Sequence, residues 1–254
     1  MANELLYYIP AGQYGKEGVL ALLEQHPEIK FVSLVGIDLA GNDTDEKIPM
    51  SAFFDDYESF FEGRAVQTDG SSVVLTDIAT LNNARVDMWG DPSVNWFVDY
   101  NYENIDEATG LPTGTLRIPA FLMHNYKYVD SRAILKRSCG FVRDQLLSLV
   151  KEHGLKSMPH INVDDIGDIV FTSATELEFW VKTPREDAPL EALSSSQVMQ
   201  EQYWQRTRGN VRTALEQTIQ TLELYGLEPE MGHKECGGVK GQIDAAGHMT
   251  HVME

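Results

Sequence analysis

Cysteine is scarce: the 254-residue chain has two, Cys139 and Cys236, far apart in sequence. That excludes a disulfide framework and fits a reducing compartment. Basic residues are also few, 20 Lys and Arg against 39 Asp and Glu, for a formal net charge of −19. This balance repels phosphate backbones and anionic membrane surfaces, and no Lys/Arg cluster supplies a local footprint, so no nucleic acid partner is expected. There is no run of about 18 apolar residues, and the start "MANELLYYIPAGQYGKEG" has no basic segment followed by an apolar one. A soluble cytoplasmic protein with no membrane partner is the expectation. Internal repeats and low-complexity tracts are missing. So are the glycine-rich phosphate loops and the Gly-x-Ser-x-Gly setting that would make Ser71 or Ser72 a nucleophile.

What is present, 43% hydrophobic residues, suits one large or two moderate domains with a sizeable core. "GKEGVLALLEQHPEI" has helical spacing and stops at His26-Pro27. "KFVSLVGIDLAG" reads as a strand that ends in a Gly41-Asn42 turn signal, with "DEKIP" returning as a hairpin partner. "MSAFFDDYESFFEG" predicts an amphipathic helix closed by Gly63. "VNWFVDYN" and "TLRIPAFLMH" read as strands, so residues 1–125 form a small α+β domain with a mixed sheet.

The pattern then changes, and 126–254 reads as a second α/β layer. In "YVDSRAILKRSCGFVRDQLLSLVKEHG", Asp130 or Ser131 caps a long helix. Its apolar stripe is Ile134, Leu135, Phe141, Val142, Leu146, Leu149 and Val150, and Gly154 ends it. A strand "IVFTSATELEFWVK", a second long helix within 194–226 and a strand over "EPEMGHKECGG" follow. His26, His124, His153 and His160 lie at or near element ends and read as surface residues.

Two carboxylates interrupt the first of those strands. At i and i+2, Glu176 and Glu178 share one face of a strand. Side by side in low dielectric they must be solvated, protonated, paired with cations or bound to metal. The second strand repeats the anomaly with Glu230, His233 and Glu235, and Gln242 and Asp244 again sit two apart. Hard divalent cations such as Mg²⁺ and Mn²⁺ take oxygen donors of this kind. A plainly solvated acidic face fits the same spacing.

These stretches resemble the glutamine synthetase family. "ATELEF" is similar to its Glu-x-Glu-Phe strand, "GLEPEMGHKE…GQ" to its Glu-x-x-His-x-Glu…Gly-Gln segment, "TDGSS" to its Phe-Asp-Gly-Ser-Ser motif, and "VDSRAILKR" to its Asp-Pro-Arg helix start. "KFVSLVGIDLAGNDTDEKIP" looks like the family's first hairpin and "VDMWGDPSVNWFVDY" like its Ser-Asp-x-x-Leu-x-Pro-Asp stretch. The matches run in family order over almost the whole chain. The resemblance implies a β-grasp-like domain at 1–125, followed at 126–254 by the first part of a catalytic α/β domain, a curved antiparallel sheet or half-barrel with helices outside. It implies that Glu178, Glu235 and Asp244 hold one Mg²⁺ or Mn²⁺, that Glu176 helps hold a second on the phosphates of ATP, and that Glu230 faces the nucleotide. Asp69, from a neighbouring subunit of a homo-oligomer, would bind ammonium and take its proton, with Ser72 in support. ATP would phosphorylate the γ-carboxylate of glutamate, and ammonia would attack the acyl phosphate.

Departures bear on the substrate more than on the fold. Asp244 stands where the family has Glu, Lys234 where it has His, Cys236 where an aliphatic residue is usual, and Thr68 where it has Phe. Family members also continue past the equivalent of Glu254 with further site residues. The expectation is therefore the amino-terminal portion of a longer synthetase, inactive alone. The alternatives are a ligase for another amine and a non-catalytic relative that keeps the family's fold and subunit contacts.

Overall fold

A computed structural model describes residues 5–75, 85–179, 181–184, 209–233, 240–243 and 249–253. The chain divides into two compact units, Met1–Thr172 and Ser173–Glu254.

The first unit is α+β, built on an eight-stranded mixed sheet. Its spine is β7 (Pro112–His124), in which Leu116, Ile118, Ala120 and Leu122 are all fully buried while Arg117, Pro119 and Phe121 between them are partly exposed. This period of two is the sheet alternation, and burying each large aliphatic side chain contributes about 1.5–3 kcal/mol. The first half of β7 lies between β6 (Trp96–Ile105), antiparallel, and β2 (Ile29–Val35), parallel. Its second half pairs with β5 (Arg85–Gly90) and β8 (Lys127–Tyr128). The edges are β1 (Tyr8–Ile9) on β6, β3 (Ile48–Pro49) on β2, and β4 (Val66–Asp69) on β5. The hairpin expected from "DEKIP" is therefore formed by Ile48 and Pro49 opposite Val32 and Phe31.

Helix α1 (Lys16–Glu24) buries Val19 and Leu23. The amphipathic helix expected after Pro49 splits into α2 (Met50–Asp55) and a 3₁₀ turn (Tyr57–Phe60), because the backbone at Asp56 leaves helical geometry. The break lets Phe53 and Phe60 meet edge-on at 5.0 Å, and Phe61 stacks on Trp96 at 5.3 Å. Helix α3 (Ser131–His153) starts where its sequence says it should. The fully buried Asp130 caps it by accepting from Ala133 N–H at 2.8 Å, and its other oxygen accepts from Leu122 N–H at 3.0 Å, tying the helix to β7. Along α3, Leu135, Phe141, Val142, Leu146 and Leu149 are exposed.

His124 is not a surface residue: it is buried, with Nδ1 2.9 Å from the Arg85 carbonyl and Nε2 2.9 Å from the Asn125 amide. Ending a strand does not expose a side chain when the Arg85 carbonyl of β5 and the adjacent Asn125 close on its ring.

The second unit has a three-stranded antiparallel sheet in the order β10 (Lys240–Ile243), β11 (Met249–Met253), β9 (Val181–Pro184). Its helix α4 (Gly209–Leu224) is the described part of the expected second long helix. It closes on Gly226, at φ +67°: Leu227 N–H donates to Leu222 and Gly226 N–H to Glu223, the two-bond glycine cap. The first acid-bearing strand differs from expectation; of the second only 228–233 is described, and 234–238 lie outside the described residues. Residues 166–179 and 227–233 carry no strand, and the first strand begins only at Val181. A strand needs a neighbour for its N–H and C=O groups, and among the described residues β11 offers one only to 181–184.

Candidate functional site

Asp69 is the last residue of β4, paired opposite Arg85 on β5, and the chain turns sharply after it. Asp69 Oδ1 accepts from Ser71 N–H at 2.8 Å and its carbonyl from Ser72 N–H at 2.8 Å, an aspartate turn that leaves Asp69 and Ser72 exposed. The Ser71 hydroxyl and N–H hold the Asp69 carboxyl below the usual carboxylate range. An exposed anion at a strand end suits a cation.

The turn is anchored from behind. Val73 and Leu75 are buried in the core, and the Val74 backbone between them is bonded in both directions: Val74 N–H donates to Asp38 Oδ2 at 2.9 Å, and Leu39 N–H donates to the Val74 carbonyl at 3.0 Å. Asp38 is 3% exposed and also accepts from Ala40 N–H, Asn42 N–H and the Asn42 amide. Burial pushes its carboxyl up, but the bonds from Asn42, Val74 and Ala40 outweigh that and hold it below the ordinary range. Ser131 Oγ donates to the Asp38 carbonyl, which joins the same hub to the start of α3. The strand reading of "KFVSLVGIDLAG" gives Asp38 no role, although an aspartate four positions before Asn42 is a local turn signal.

A second junction lies nearby in sequence order. Arg132 donates to the buried Asp91 at 2.7 Å and covers the Phe121 ring at 4.8 Å. Two family-like stretches, "VDMWGDPSVNWFVDY" and "VDSRAILKR", thus meet through these side chains.

In the second unit Glu176 and Glu178 are exposed and lie outside any strand, so no pleat fixes them on a common face. Glu230 is exposed too. Gln242 lies in β10 opposite Thr250, while Glu235 and Asp244 lie outside the described residues. Among the described residues no three His, Cys, Asp or Glu side chains come together as a metal site. The donor chemistry, carboxylate oxygen throughout, is that of a hard cation. No described helix is long and apolar enough to cross a membrane.

No family model matches the chain, and no curated protein matches it. Solved structures do. Over 97% of its length the chain resembles Plasmodium falciparum glutamine synthetase, with a TM-score of 0.50 and 10% identity, covering 45% of that chain. A GmaS/ADP complex matches over 92% of the chain, at a TM-score of 0.43 and 12% identity, with 44% of that chain covered. The chain spans less than half the length of these structures. At this identity the likeness is one of fold: a glutamine synthetase-like, mixed α+β architecture.

Proposed function

We propose that the chain is part of an ATP-dependent carboxylate–amine ligase that forms glutamine from glutamate and ammonia through γ-glutamyl phosphate. The observation that carries this is Asp69, an anionic carboxylate displayed on the strand-end turn of "TDGSS", within a chain whose motifs follow family order on a glutamine synthetase-like fold. In this reading residues 1–125 are a β-grasp-like domain that presents Asp69 to a neighbouring subunit of a cytoplasmic homo-oligomer. Residues 126–254 begin the half-barrel catalytic domain. The Asp69 carboxylate binds ammonium and takes its proton, which frees the nitrogen lone pair for attack on the acyl phosphate, and Ser72 supports the turn. Glu230 faces the nucleotide. Glu176, Glu178, Glu235 and Asp244 hold Mg²⁺ or Mn²⁺, which when bound would offset charge on the phosphoryl oxygens.

The test is ADP release by the full-length native protein with ATP, glutamate and Mg²⁺, comparing ammonium, methylamine and polyamines. Ammonium-dependent release with glutamine as product supports the reading. Release with another amine alone replaces the substrate, and no amine-dependent release overturns it. A second reading, subunit association without turnover, is favoured by the exposed apolar residues Leu135, Val142, Leu146 and Leu149 of α3. It predicts a stable oligomer with no ADP release.

A further inference from the structure

We propose that Asp38 is a positioning residue for the amine site: its carboxylate fixes the segment that carries Asp69 and Ser72 to the frame of the first unit. The inference rests on the reading of Asp69 as the amine-binding acid.

The bonds that Asp69 makes to Ser71 and Ser72 shape the turn, but they lie within it and so do not decide where it sits. The pairing of Asp69 with Arg85 and the burial of Val73 and Leu75 hold the segment at its ends, and Asp38 adds a side-chain tether at Val74. Val74 is 44% exposed, so its side chain does not hold it. Its N–H is bound by Asp38 Oδ2, 36 positions away in sequence. Asp38 is itself immobilised. Its N–H donates to the Asn42 carbonyl at 3.0 Å, its carbonyl accepts from Gly41 N–H and Ser131 Oγ, and its Oδ1 accepts from Ala40 and Asn42 N–H at 2.9 Å each. One buried carboxylate thus closes the hairpin turn chiefly with Oδ1, while Oδ2 is shared between the Asn42 amide of that turn and the Val74 N–H of the Asp69 segment. Displacing a catalytic or binding group by about 1 Å can cost a hundredfold in rate, so a loosened tether should be read first at the ligand that Asp69 contacts.

Asp38→Asn weakens the hold on Val74 while keeping the two backbone bonds of the hairpin turn. Its single acceptor oxygen satisfies the pair of N–H groups at Ala40 and Asn42, and its amide then faces Val74 N–H, donor against donor. The full-length native protein and this variant are compared by hydrogen exchange and by steady-state kinetics. The expected result is faster exchange in 69–75 with 112–124 unchanged, and a KM for ammonium raised about tenfold or more with the KM for ATP unchanged. Unchanged exchange in 69–75 overturns the proposal. So does a loss of activity that falls equally on all substrates, which is what a merely structural role would give. Asp38→Ala, which also opens the hairpin turn, should exchange faster in 36–44 as well; if it does not, the two-sided role of the carboxylate is wrong. If the wild-type protein shows no ammonium-dependent turnover, the functional reading fails, and exchange in 69–75 alone decides whether Asp38 is the tether.

Discussion

Arg132 reaches Asp91 across 41 positions of sequence, at 2.7 Å, and joins the first turn of α3 to the corner between β5 and β6. Asp91 is 5% exposed, and it also accepts from Ser93 N–H and Oγ. Burial raises the Asp91 carboxyl, while Ser93 and then Arg132 lower it further, so its folded value lies below the ordinary one.

That sign sets a pH dependence. A depressed carboxylate contributes stability above its unfolded pKa of about 3.9, and the contribution is lost as pH falls through the lower folded value. Arg132→Ala should destabilise the protein by about 1–3 kcal/mol near neutral pH, because it leaves a buried carboxylate short of a partner. As pH falls below the ordinary carboxylate value of about 3.9, the gap between variant and wild type should narrow. Urea unfolding at a series of pH values checks both statements.

Gly63 sits at φ +68°, and a Cβ built there would overlap the Trp89 indole. Gly63→Ala therefore combines a left-handed backbone penalty with a clash, for an expected loss of about 2–4 kcal/mol. Thermal unfolding followed by tryptophan fluorescence measures it, and a variant as stable as wild type contradicts the packing described.

Asp130 serves two N–H groups that lie on different elements. Asp130→Ala should cost about 2–3 kcal/mol, a lost helix cap plus an unpaired Leu122 N–H. Asp130→Asn keeps one acceptor oxygen and should cost less. Equal losses from the two variants would show that the bond kept by the Asn oxygen contributes nothing.

Glu178→Gln removes one anionic oxygen from the proposed cation site. Calorimetry on the full-length protein should find Mn²⁺ binding weakened about tenfold or more. Unchanged affinity removes Glu178 from the ligand set.

Much of the first unit was legible because its signals are local. "TLRIPAFLMH" reads as a strand and lies within β7, and Asp130 or Ser131 marks the start of α3, where Asp130 proves to be the cap. The mixed α+β class follows from the same patterns. What was not legible depends on partners distant in sequence. "ATELEFWV" has strand composition, yet only residues from Val181 onward pair with β11, and Glu176 and Glu178 remain in solvent. His124 is buried because the Arg85 carbonyl and Asn125 close over it. Asp38 looks like any turn aspartate until Val74 is seen to donate to it. Of the candidate site, Asp69 and Ser72 lie on one turn, as the "TDGSS" motif implies. The acids of the second unit are not brought together among the described residues.

The central claim is tested most directly by giving the full-length native protein ATP, glutamate, Mg²⁺ and nitrogen-15 ammonium, and following the product by mass spectrometry. The account predicts glutamine carrying the label in its amide, formed one for one with ADP, and a rate that falls at least about a hundredfold in Asp69→Asn. Without labelled glutamine from the folded wild-type protein, or with Asp69→Asn as fast as wild type, the chain has the fold of a glutamine synthetase without the proposed use of its amine site.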